Sequence, residues 1–228
     1  MVPAMIDFAA PPLPEDPTLD EVRAALAPGI AANAAFDGWG AAAREVAADG
    51  LGVDRDVSAL ALPDAAAMID AWFAHVDAAM AALVPDAALA AMKVRERIAR
   101  QIEARLDVVA PDREALRRAL AILALPTNVA LAARLGWRTA DGMWRRAGDT
   151  ATDLNHYTKR ATLLAIYAAT ITVFLDDDSE GQAETRAFLG RRIDGLMRFE
   201  KAKAGVLMRA ERLPSLSRFV GRLRYHAV

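Results

Sequence analysis

From Leu19 onward the apolar residues recur at three- and four-residue spacings, and no stretch alternates apolar with polar between turn residues. That pattern restricts the chain to helices, because side chains on a strand change face at every residue. Amphipathic helices bury their apolar stripes against one another, so the expected fold class is all-α, a helical bundle. At 228 residues and 54% apolar composition the chain can bury one sizeable core. With 24 Arg against 4 Lys and long Ala-rich runs, part of the helix signal reflects a bias in residue usage, and Ala is discounted accordingly.

Capping and breaking residues divide the chain. A first helix is expected from Leu19 to about Ala35, a turn at "FDGW", a second helix in "GAAAREVAADG", then a short helix, a break at Pro63 and a longer one. This spacing resembles the helix-turn-helix head of TetR-type regulators. Further on, 87–109 reads as one amphipathic helix, "DREALRRALAILALP" opens on an Asp112 cap and stops at Pro126, and the next helix runs toward Gly148. After Thr152 the chain is apolar on every side: Leu154, Ala161, Leu164, Ala168 and Leu175 form one face, Leu163, Ile166, Tyr167 and Phe174 another. A central helix buried by its neighbours is expected there. Asp176–Asp178 reads as a solvated loop, and Leu189, Ile193 and Leu196 make a single stripe. At the end, Leu216, Phe219, Val220 and Leu223 recur at i, i+3, i+4 and i+7 with Arg218 and Arg222 opposite, a narrow amphipathic helix that needs a partner.

Several chemistries are excluded. Without cysteine there is no disulfide, thiolate nucleophile or Cys-ligated metal. Asp153-x-x-His156 has the spacing of a di-iron half-site, but the other histidines, His75 and His226, have Trp72 and Leu223 three residues earlier, so no second half-site exists. Serine stands only at 58, 179, 215 and 217, and neither a nucleophile elbow nor a phosphate-binding loop occurs. No enzyme, no metal and no cofactor is expected. The first residues read as a disordered Pro-rich lead rather than a targeting peptide, and no apolar run reaches the roughly 18 residues of a membrane span.

Charge is uneven. Residues 1–90 hold 14 acidic and 3 basic residues, and 91–228 hold 16 and 25. In the expected recognition helix Arg55 stands alone among Asp54, Asp56 and Asp64, so that surface repels phosphate instead of reading bases. The helix-turn-helix is degenerate, and no nucleic-acid partner is expected.

The run "DGMWRRAGDTATDLNHYTKRATLLAIYAATITVFLDD", preceded by "RALAILALPTN", resembles the accessory lipid-binding family of ubiquinone (coenzyme Q) biosynthesis, the ninth coenzyme Q protein. The likeness rests on Met143–Arg145, Ala147–Asp149, Thr152–Asp153 and Tyr157–Arg160, with His156 standing where members often carry Trp. It implies a TetR-like bundle that does not bind DNA and has a lipid-filled cavity. It further implies a surface that docks the demethoxyubiquinone hydroxylase and a C-terminal helix on the membrane.

The expected layout is a lead over 1–17, a degenerate head over 18–87, a lipid-binding bundle over 88–204, and a linker with the amphipathic helix over 205–228. Met143, Asp153, His156, Tyr157 and Arg160 are the candidate partner-binding residues; Met143, Trp144, Leu164 and Tyr167 the candidate lipid-binding ones; Leu216, Phe219, Val220, Leu223, Arg218 and Arg222 the candidate membrane contacts. The function implied is non-catalytic: an isoprenoid quinone intermediate is bound and presented to the hydroxylase. The site of action would be an anionic membrane surface, the inner face of a bacterial inner membrane, with a homodimer as a further possible assembly. The alternative is a TetR-like regulator or sensor of an apolar ligand, which would retain DNA at low salt.

Overall fold

The computed structural model describes residues 13–212, with side chains through Leu196 and at Arg198. Local chemistry sets the helix starts. Thr18 and Glu21 form a reciprocal capping box at the head of α1 (Leu19–Asp37), the Glu21 carboxylate accepting the Thr18 N–H at 2.8 Å. Gly38, at φ 75°, ends α1, and Gly52, at φ 68°, ends α2 (Ala41–Leu51). Asp54 and Asp64 cap α3 (Arg55–Ala61) and α4 (Ala65–Leu83) by accepting N–H groups of their first turns. The remaining helices are α5 (Asp86–Ala90), α6 (Val94–Val109), α7 (Arg113–Leu123), α8 (Val129–Arg146), α9 (Leu154–Asp176) and α10 (Ala183–Arg212). No strand occurs among the described residues, and the fold is an all-α bundle.

One apolar core runs from Val22, Leu26 and Trp72 in the head to Leu189, Ile193 and Leu196 of α10. The head is anchored by Trp39, whose indole N–H donates to the Ala115 carbonyl at 2.9 Å while its ring tilts against Trp72. From there α1 packs on α4 and α7, α4 on α6, and α9 between α8 and α10.

Five expectations are corrected. The helix expected over 87–109 breaks at Ala91–Lys93, where the Arg97 guanidinium takes the carbonyls of Ala90, Met92 and Ala147, so the broken turn leaves these acceptors paired. Asp112 precedes α7 but, at φ −106° and ψ 32°, makes no side-chain cap bond, and burial pushes its carboxyl pKa up. Helix α9 is buried on one face only: Leu163, Ile166, Tyr167, Thr170 and Phe174 enter the core, while Leu154, Tyr157, Ala161, Ala165, Ala168 and Thr172 face outward. Asp177 is buried, accepting from the Ser179 and Thr185 hydroxyls, whereas Asp176 and Asp178 are solvated. Helix α10 continues through 205–212, where a linker was expected. The stretches 1–12 and 213–228, with the expected lead and membrane contacts Leu216 to Leu223, lie outside the described residues.

By length and composition α4 and α9 could each cross a membrane. Counting unbroken apolar runs does not register them, because Asp70 and Asp77 punctuate α4 and Lys159 and Arg160 open α9. In the bundle each buries one face in the common core.

Candidate docking site at the α8–α9 corner

Helix α8 ends at Arg146, and Gly148, at φ 91°, turns the chain. A Cβ there would stand 3.2 Å from Arg97 Nη1, so glycine suits both the backbone conformation and the space. The Asp149 N–H returns to the Trp144 carbonyl at 3.0 Å, which delivers the Asp149 carboxylate inward. Lys159 Nζ donates to Asp149 at 2.7 Å, and Arg160 donates to Asp149 at 3.0 Å and to Asp141 at 2.5 Å. Arg145 meets the other oxygen of Asp141 at 2.8 Å. The Trp144 indole N–H donates to the Lys159 carbonyl at 3.0 Å while the Lys159 ammonium sits over its ring. Burial pushes the Asp149 carboxyl pKa up, but hydrogen bonds from Lys159 and Arg160 outweigh it and hold the group below its ordinary value. Asp141 is likewise lowered by Arg160 and Arg145 against the effect of burial.

This clamp accounts for much of the polar residue cluster at the mouth of α9. Met143 and Arg160, expected on a partner surface, are buried. Met143 lies on the core face of α8, and Arg160 is drawn inward by two carboxylates. Asp153 is exposed and caps α9 through the Asn155 N–H. His156 is half-buried, its Nδ1 at 3.1 Å from the Ala151 carbonyl. Tyr157 projects outward, 59% exposed.

His156 and Tyr157 stack edge to face, and both approach Trp137 of α8, with ring centroids 5.1 to 6.3 Å apart. The sequence reading missed Trp137, although it stands seven residues before Trp144 and so on nearly the same face of α8. The outward residues of α9 continue from this triplet as an uncharged stripe, Leu154, Tyr157, Ala161, Ala165 and Ala168.

The candidate lipid residues are held in different surroundings. Trp144 is packed in the clamp, and Tyr167 is a satisfied core phenol that accepts from Arg105 Nε at 2.7 Å. Arg105, fully buried between the Phe73 and Tyr167 rings, also pairs with Asp77. Burial raises the Tyr167 pKa further than Arg105 lowers it. Leu164 is half-buried over Gly136, where a Cβ would come within 2.5 Å of its Cδ1, so the glycine permits the close approach of α8 and α9. Among the described residues, adjoining clefts of about 350, 310 and 630 Å³ run along α4 between α1 and α8. Their walls include Arg23, Asp70, Ala74, His75 and Arg138, and none of Met143, Trp144, Leu164 or Tyr167. Among the described residues no three His, Asp or Glu side chains gather to hold a metal ion.

Residues 129–200, which hold the clamp, the aromatic triplet and the stripe, match the COQ9 family. The chain is 42% identical over 96 residues to the human ubiquinone biosynthesis protein COQ9, mitochondrial, covering 42% of this chain and 30% of that protein. The probable ubiquinone biosynthesis protein coq9 of Dictyostelium discoideum is 27% identical over 115 residues, 50% of this chain and 38% of that one. The chain thus spans about a third of the length of these relatives. Among solved structures, a TetR transcriptional regulator from Nitrosomonas europaea ATCC 19718 superposes with a TM-score of 0.62 at 26% identity, over 76% of this chain and 96% of that one. Residues 129–200 are thus similar to the COQ9 family, and the chain carries them on a TetR-like helical fold.

Proposed function

We propose that the chain serves ubiquinone biosynthesis without catalysing a step itself, by holding an isoprenoid quinone intermediate and docking the demethoxyubiquinone hydroxylase at a membrane surface. The observation that carries this reading is the Trp137–His156–Tyr157 triplet, with Tyr157 exposed, inside the COQ9-matching segment and set on a buried ionic clamp. Aromatic side chains on a rigid base make strong interface anchors, because little side-chain entropy is lost on contact. The uncharged stripe of α9 extends that surface, and an apolar face of this kind suits a lipid tail or the apolar surface of a membrane-bound partner. The exposed stripe, Leu154 to Ala168, is the face to which this reading assigns lipid contact. The relatives named mitochondrial support work at a membrane.

The test is calorimetric titration of the hydroxylase with the wild-type chain and with Tyr157→Ala. A loss of affinity in a variant that keeps its melting temperature supports the reading, and unchanged binding overturns it. Mass spectrometry of the native protein, looking for a co-purified isoprenoid, tests the lipid half separately.

A further inference from the structure

The outer face of α2 and α3 exposes apolar side chains that none of the described residues covers. Leu60 is 69% exposed and Val57 40%, one helical turn apart on α3, with Val46 and Leu51 exposed on α2. Carboxylates surround them: Glu45 and Asp49 on α2, Asp54 and Asp56 at the start of α3. Arg55 joins the two helices into one surface, pairing with Glu45 at 3.0 Å and Asp49 at 2.6 Å, and is neutralised by doing so. The only other basic residue between 36 and 64, Arg44, is buried and donates to the Leu62 carbonyl. In a helix-turn-helix this is the face that enters the major groove. Here it is an acidic rim around an apolar centre, which repels phosphate and suits a basic amphipathic helix.

A segment of that chemistry lies in this chain. Residues 215–227 carry Leu216, Phe219, Val220 and Leu223 at helical spacing, with Arg218, Arg222 and Arg224 and no acidic residue. The direction of α10 decides which head it can reach. Arg186 pairs with Asp107, and Asp194 with Arg95, so α10 runs antiparallel to α6. The far end of α6 leads into α7, where Trp39 anchors the head. Helix α10 therefore leaves in the direction away from the head, and its 30 residues extend about 45 Å. Wound as a helix, residues 215–227 would span only about 20 Å, too short to return along α10 to their own head.

We propose that the α2–α3 face docks residues 215–227 of a second copy, the apolar stripe covering Val57 and Leu60 and the arginines meeting the surrounding carboxylates. The head then competes with an anionic membrane for the same basic segment, and the chain carries its own release switch. The test uses the full chain carrying Arg218→Glu and Arg222→Glu, so that its own tail does not compete, titrated into a fluorescent peptide of residues 214–228. Saturable binding is expected. Adding Leu60→Asp or Asp56→Lys to the protein should weaken it at least tenfold while the helical circular dichroism and melting temperature hold. Should Leu60→Asp unfold the head, Asp56→Lys, at an exposed carboxylate, still reads the contact. Binding that ignores both changes overturns the proposal. So does equal binding of a scrambled peptide, which would reduce the contact to undirected charge, or retention of duplex DNA on the head at low salt.

Discussion

Arg160 and Tyr157 lie three residues apart on α9 and have opposite roles. The Arg160 side chain is 2% exposed and stands between Asp149, 4% exposed, and Asp141. Removing the cation leaves Asp149 to Lys159 alone and Asp141 to the exposed Arg145 alone, and breaking a buried pair costs about 3–5 kcal/mol. Arg160→Met should therefore lower the unfolding free energy from urea titration at pH 7 by about that amount, and an unchanged value would show that water replaces the guanidinium. Tyr157→Ala removes an exposed ring, so stability should stay within about 0.5 kcal/mol. Hydroxylase binding should fall by about 2 kcal/mol, roughly thirtyfold, if Tyr157 is a central anchor. Asp177 supplies a pH dependence. Burial pushes its carboxyl up, but hydroxyl and N–H bonds from Ser179 and Thr185 outweigh this and hold it far below the ordinary carboxylate range. The unfolded chain, with a pKa of about 3.9, binds that proton more readily than the folded one, so the contribution is full above about pH 5 and is lost as pH falls through the folded value. Asp177→Asn should lower stability at pH 7 and flatten the acid limb of the urea midpoint against pH; a parallel, undiminished limb would move the acid sensitivity to other carboxylates.

At the scale of the element, α9 shows what a sequence can and cannot say. Its existence follows from the apolar run and its start from the Asp153 cap. Its environment does not follow, because a helix apolar all round shows no polar side to mark the solvent. Alanine makes the ambiguity possible: Ala161, Ala165 and Ala168 are apolar enough to read as core and small enough to stand in water at little cost. The head was legible for the opposite reason, since the capping box at Thr18, the Asp54 and Asp64 caps, the glycine stops and the Pro63 break are local signals. The clamp was half legible: Asp141 and Arg145 share a helix face at i, i+4, but the pairing of Asp141 with Arg160 across 19 residues depends on how α8 packs on α9. If the exposed stripe is the surface that meets lipid or hydroxylase, Ala165→Arg should leave the melting temperature within about 2 °C, as expected for an exposed change well under 1 kcal/mol. The same change should abolish co-purification of an apolar ligand or weaken hydroxylase binding. Retention of both would return the stripe to plain solvent-facing helix.

Across the whole molecule the charge is segregated, 14 acidic and 3 basic residues in the first 90 against 16 and 25 in the remainder. The acidic part forms α1 to α4 and is unsuited to anionic lipid, whereas the basic excess lies toward the end of the chain. Membrane attachment is therefore expected from residues 215–227, with Leu216, Phe219, Val220 and Leu223 toward the acyl chains and Arg218 and Arg222 at the headgroups. A helix of 13 residues, about 20 Å long, is too short to span the roughly 30 Å hydrocarbon core, so it would lie in the interface. Each arginine near an anionic surface contributes about 1 kcal/mol, screened by salt, which makes the attachment reversible. Truncation after Leu213 should abolish flotation with phosphatidylserine-containing vesicles while the thermal melt of the remaining bundle persists, since it keeps the apolar core from Val22 to Leu196. Phe219→Glu in the full chain should have the same effect by placing a charge among acyl chains, and about 0.5 M salt should weaken flotation of the wild type. Flotation of the truncated chain equal to that of the full one would move the membrane contact to α9 or α4, helices with the length and composition to enter a bilayer.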